Sequence, residues 1–159
     1  MRKDVRNQRE NETKVVCPKC GAEFANVHTN ELGSGDRKSI QELVIKRLED
    51  IMLLAEKNGV KMVIENVGLR TKDSVLFNRS EFFALFDRFP KAGALLDVGH
   101  AHVNGWDVAD TVRVLSDRLV ACHVHDNDGN GDAHLPVGQG NVDWNGYFAA
   151  VKECAPKSV

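Results

Sequence analysis

Residues 119–144 read LVACHVHDNDGNGDAHLPVGQGNVDW. The stretch opens as a short apolar segment, Leu119-Val120-Ala121-Cys122, and from His123 onward gives up hydrophobicity for histidine, aspartate and glycine. So polar a loop is not core, and His and Asp are residues that hold metals and move protons. A strand that ends on such residues therefore reads as one corner of a site.

The same pattern recurs upstream. Ala22 to Val27 reads as a strand ending on His28, Val60 to Ile64 as one ending on Glu65-Asn66, and Ala92 to Leu96 as one ending on Asp97, with Gly99 and His100 behind it. Between them lie helical patterns. Ile40, Leu43, Val44, Leu48, Ile51, Met52 and Ala55 recur at helical spacing, with Ser39 and Glu42 as a capping box and Asn58-Gly59 as a stop. Ser80 is the expected cap of a helix over 81–89 closed by Pro90; Asp107 and Asp143 are the expected caps of two later helices, the second running from Trp144 to Cys154. Strand and helix alternate four times, the signature of a parallel α/β sheet with right-handed crossovers.

In such a sheet all strands end on the same side, so His28, Glu65, Asp97 and His123 are expected to converge there. Taken singly, each reads as readily as a helix cap or a loop acceptor. Taken together they point to a shared metal or proton-transfer site, because buried strand ends are ordinarily apolar. Oxygen and imidazole donors suit Mn²⁺, Mg²⁺, Co²⁺ or Zn²⁺ and argue against iron–sulfur or copper(I). Trp106 and Trp144 read as packing residues.

With 159 residues the chain fits a single domain over 1–159, and a net charge of −2 offers no basic field for nucleic acid or an anionic membrane. No apolar run approaches the roughly 20 residues of a membrane span, and the charged N-terminus lacks a signal-peptide core, so a cytoplasmic protein is expected. Cys17-Pro18-Lys19-Cys20 has the spacing of half a zinc ribbon. No second Cys-x-x-Cys accompanies it, and the plainer reading is two thiols near the end of a polar N-terminal helix.

Four segments carry a family resemblance: Glu65-Asn66 after a strand, Asp97-Val98-Gly99-His100, His123-Val124-His125-Asp126, and Asp132-Ala133-His134-Leu135-Pro136. They resemble the xylose isomerase-like TIM barrels, a superfamily that includes sugar phosphate isomerases and epimerases and the endonuclease IV type of abasic-site nuclease. The resemblance implies a partial (β/α)8 barrel of about four βα units, lacking the first strands and the last, since a whole barrel takes about 250 residues. For the epimerase branch it implies that Glu65, Asp97 and His123 bind one divalent metal, that Glu65 also serves as acid/base, and that His100 holds a substrate oxygen. A small sugar would be the substrate, and a homo-oligomer one way to cover raw sheet edges. For the nuclease branch it implies that His28, His100, Asp132 and His134 are further zinc ligands. His125, by strand alternation, faces either the metal or its immediate support. A barrel remnant that binds metal or a small ligand without turnover is the third expectation.

Overall fold

A computed structural model describes residues 17–29, 35–68 and 75–159. Along the chain run β1 (Phe24–His28), α1 (Arg37–Lys57), β2 (Lys61–Glu65), α2 (Arg79–Arg88), β3 (Gly93–Asp97), α3 (Val98–Val103), α4 (Val108–Leu115), β4 (Leu119–His123) and α5 (Trp144–Cys154). The strands lie in sequence order, β1-β2-β3-β4, and every neighbouring pair is parallel. When the order never reverses, crossovers of one hand leave every helix on the same face of the sheet.

Side-chain alternation shows this directly. Met62, Ile64, Ala94, Leu96 and Leu119 pack with Val44, Leu48, Phe82, Phe86, Val112 and Tyr147 of the helices in one cluster. The alternate positions Val63, Leu95 and Ala121 form a second cluster with Phe24 and Val120, and no helix residue joins it. A sheet wound in one direction with helices outside is an arc of a (β/α) barrel, here of four βα units. Among the described residues no helix is long and apolar enough to cross a membrane.

Helix ends differ from the expectation in two places. The cap of α1 is Asp36, not Ser39: its carboxylate accepts from the amides of Lys38 and Ser39, and the Ser39 hydroxyl donates to it as well. An ionised acceptor at a helix N-terminus also answers the helix dipole, which a hydroxyl does not. The cap of α2 is Asn78 rather than Ser80, in a reciprocal capping box with Glu81. Leu43, expected on the inner face of α1, is 45% exposed, while Val44, Leu48 and Ala55 are buried. Asp107 and Asp143 cap α4 and α5 as expected. Residues 18–20 form a turn; the polar N-terminal helix expected before it falls on residues 1–16, which lie outside the described residues.

The register sets the site. His28 pairs with Glu65, Glu65 with Leu95, and Asp97 with His123. A bulge opposite Ala94 and Leu95 makes Val120 the extra residue on β4, since Ala94 pairs with Leu119 and Leu95 with Ala121. That slip puts His123 on the same face as Asp97 and level with it. On the outer edge of β4, Val159 donates to the carbonyl of Val120 and accepts from the amide of Cys122.

Candidate functional site

Glu65 and Asp97 are the deepest polar side chains of the sheet, 1% and 2% exposed. Oε1 of Glu65 lies 3.0 Å from Nδ1 of His123, and Oε2 lies 2.9 Å from Nε2 of His28 and accepts from the Asn26 amide. Asp97 Oδ1 accepts from the backbone N–H of His100 (2.7 Å), capping α3, and lies 2.9 Å from Nε2 of His125; Oδ2 is 3.6 Å from His123 Nδ1. Asn66 clamps the end of β3, donating to the Asp97 carbonyl (2.9 Å) and accepting from the Asp97 amide (2.8 Å).

Two buried carboxylates side by side demand positive charge. Among the described residues, every ion-pair partner of Glu65 and Asp97 is a histidine. Donor atoms of Glu65, Asp97 and His123 lie within 4.8 Å of one another. Small rotations would bring them to the roughly 2.0–2.2 Å that nitrogen and oxygen keep from a divalent ion. The donor set therefore fits a metal.

A second group stands beside the first. Donor atoms of His100, His125, Asp132 and His134 also lie within 4.8 Å of one another. His100 Nδ1 is 3.1 Å from the carbonyl oxygen of Asn66, which can only accept, so that nitrogen carries the proton. In the neutral ring Nε2 then turns a lone pair toward Asp132 Oδ2 at 3.3 Å, and only a proton or a cation reconciles the two acceptors. His134 Nε2 reaches the same oxygen at 3.1 Å, and its ring stacks on His125 with centroids 3.9 Å apart. His134 holds φ +48°, a left-handed backbone that non-glycine residues seldom adopt. Among the described residues the buried His125 Nδ1 has no hydrogen-bond partner.

The loop that carries Asp132 and His134 is organised by Asp126. Its backbone bridges to Leu135, and its buried carboxylate accepts from the amides of Asn127, Gly138 and Val142 and from the Trp144 indole. Burial alone would raise this carboxyl, but the donated hydrogen bonds outweigh it and hold it at about 2. Gly99 allows His125 its place: a Cβ there would stand 2.0 Å from the ring.

The expected residues thus gather as Glu65, Asp97 and His123 in one group and His100, His125, Asp132 and His134 in the other. His28, more than half exposed, touches Glu65 but enters neither group. His102 turns away to Asn141. Trp106 packs on Phe82 and Phe83, whereas Trp144 also serves Asp126. Asn26, the clamping role of Asn66 and the anchoring role of Asp126 are not legible in the sequence motifs. Asn26 had a signal, since it stands two residues before His28 on the same face of β1.

Residues 12–155 match the family described as xylose isomerase-like TIM barrel. An uncharacterized protein of Methanocaldococcus jannaschii is 29% identical over 110 residues, covering 69% of this chain and 42% of that protein. The chain spans less than half the length of the curated relatives it matches. The crystal structure of a D-tagatose 3-epimerase-like protein superposes with a TM-score of 0.64 at 27% identity, over 82% of this chain and 51% of that one. The IOLI protein, solved with a zinc atom, has a TM-score of 0.68 at 20% identity, over 84% and 51%. The strand order, the convergent strand ends and the matched residues agree: this chain belongs to the xylose isomerase-like TIM barrel family.

Proposed function

We propose that this protein is a divalent-metal-dependent sugar or sugar phosphate isomerase or epimerase, with Glu65, Asp97 and His123 as ligands of one ion. The observation that carries the reading is the convergence of two buried carboxylates and an imidazole from three neighbouring strand ends. The epimerase-like structure at 27% identity supports the substrate class. Bound there, Mn²⁺, Mg²⁺, Co²⁺ or Zn²⁺ would polarise the hydroxyl and carbonyl oxygens of a sugar and acidify the hydroxyl-bearing carbon next to the carbonyl.

The two oxygens of Glu65 divide the work. Oε1 faces His123 and the ligand group, while Oε2, turned toward Asn26 and His28, is the oxygen left to take a proton from carbon. Delivered to the neighbouring carbon, that proton isomerises the sugar, whereas inversion at the same carbon needs a second acid on the opposite face. His100 presents Nε2 beside Asp132 at the mouth, in reach of a substrate oxygen. Asn66 and His125 keep Asp97 in place from behind. Turnover of a panel of ketoses and their phosphates with added Mn²⁺ or Co²⁺ tests the reading; turnover by the wild type that is abolished in Glu65→Gln supports it.

The second donor group favours one further reading, a zinc phosphodiesterase acting on abasic DNA, with His100, Asp132 and His134 as ligands of an additional ion. The net charge of −2 weighs against gripping a DNA backbone. Cleavage of an abasic duplex without sugar turnover would decide for it, and retained metal with neither activity would make the chain a binding remnant.

A further inference from the structure

Two histidines of the second donor group are held in opposite ways. Nδ1 of His100 faces the Asn66 carbonyl at 3.1 Å, which keeps its proton there and leaves the Nε2 lone pair for the group. His125 has no such anchor. Its Nε2 lies 2.9 Å from Oδ1 of Asp97, a carboxylate of the first group, and 3.7 Å from Oδ1 of Asp132, a carboxylate of the second. Among the described residues its buried Nδ1 meets no hydrogen-bond partner. The ring itself is fixed in place: the side chain is 10% exposed, stacks on His134 with centroids 3.9 Å apart, and lies against Gly99.

We infer that Nε2 of His125 is one atom shared by two donor groups, and that it serves them in turn. The inference rests on the reading of Glu65, Asp97 and His123 as ligands of one ion. With the second group empty, Nε2 carries the proton and donates it to Asp97, because a lone pair there would face a carboxylate at 2.9 Å. With a divalent ion among His100, Asp132 and His134, Nε2 offers its lone pair to that ion instead. The ring is neutral before and after: the proton on Nε2 leaves to water, and water returns one to Nδ1. A partner on Nδ1 would forbid the exchange. A carbonyl there, as at His100, would hold the proton on Nδ1, and an N–H donor there would hold it on Nε2. The unpartnered nitrogen leaves both tautomers open.

Asp97 feels the exchange. Its Oδ1 has two donors, the His100 amide at 2.7 Å and His125 Nε2 at 2.9 Å, and the second of these is withdrawn. Loss of such a support weakens a metal site about 10–100-fold. The second group is therefore an antagonist of the first. An imidazole-seeking ion such as Zn²⁺ that enters it loosens the ion at Glu65, Asp97 and His123, and by linkage the first ion opposes the second equally.

Nitrogen NMR of the histidine-labelled full chain reads the tautomer of each ring, with His125 assigned by its loss in His125→Ala. The expected result is a proton on Nε2 of His125 in the metal-free chain and with Mg²⁺, a hard ion suited to the carboxylates. With excess Zn²⁺, Nε2 should become metal-bound and Nδ1 protonated, and this change should be lost in His134→Ala. Zinc should also release Mn²⁺ from the wild type at concentrations about tenfold lower than from His134→Ala. An unmoved His125 tautomer with about two zinc ions per chain overturns the inference. So does zinc uptake that stops at about one ion per chain, a lone pair on Nε2 before any metal is added, or equal zinc concentrations for Mn²⁺ release. His123→Ala tells this failure from that of the first site: if the variant holds Mg²⁺ as tightly as the wild type, the first site falls, while the His125 tautomer is read independently of it.

Discussion

The two donor groups at the mouth of the sheet are built from different materials. Glu65, Asp97 and His123 stand on strand ends, fixed by the ladder, by Asn66 and by the bulge at Val120. Asp132 and His134 ride a loop, exposed, and are held in place by the hydrogen bonds of two buried side chains, Asp126 and Asn127. The first group is rigid because the fold itself makes it. The second depends on hydrogen bonds that can be removed one at a time. A metal in the first should therefore survive damage that empties the second.

The largest expected effect breaks the first group. Glu65→Gln keeps the shape of the side chain but loses the charge and the base. Turnover should fall by about 10²–10⁴-fold, and bound Mn²⁺ should fall with it. Next comes Asp126→Ala, which orphans the Trp144 indole and the amides of Asn127, Gly138 and Val142. Chemical denaturation should show a loss of about 2–4 kcal/mol, with metal kept at Glu65, Asp97 and His123. Equal loss from both groups would mean that they are one unit.

The same carboxylate gives a pH dependence with a definite sign. Asp126 is held at about 2 in the folded protein, below the ~3.9 of an unfolded aspartate. Its contribution is present above about pH 4 and drains away as pH falls toward 2. Trp144 fluorescence followed down that range should report loosening of the loop, and a flat response would contradict it.

Smaller changes sharpen the comparison. Gly99→Ala pushes a methyl into His125, the ring that orients Asp97. Metal affinity at the first group should drop about 10–100-fold by titration, with the fold retained by circular dichroism. The smallest effect is expected from His28→Ala. His28 contacts Glu65 from a largely exposed position, and its removal should cost less than about 1 kcal/mol and change metal affinity only a few-fold.

Much of the first group was legible in the sequence, because short apolar runs ending on His, Glu or Asp at βα spacing leave few ways to fold. The fold class followed from the same alternation. Helix caps were harder. Ser39 and Ser80 fit the capping pattern, yet Asp36 and Asn78 win because a stronger or better placed acceptor stands just upstream. The bulge at Val120 leaves no mark in a five-residue strand, and it decides which residue faces Asp97. Asp126 was visible as a neighbour of the His123 segment, but its role rests on donors 9 to 18 residues away, as at Leu135, Gly138, Val142 and Trp144. Spacing along the chain does not report such contacts.

Mn²⁺ binding tests the central claim most directly, since a hard ion favours the carboxylate and imidazole donors that Glu65, Asp97 and His123 offer. Equilibrium binding should give about one tight Mn²⁺ per chain in the wild type. That ion should be absent in His123→Ala and retained in His134→Ala. A His123→Ala variant that binds Mn²⁺ as tightly as the wild type would contradict the account, for then the strand ends do not form the site.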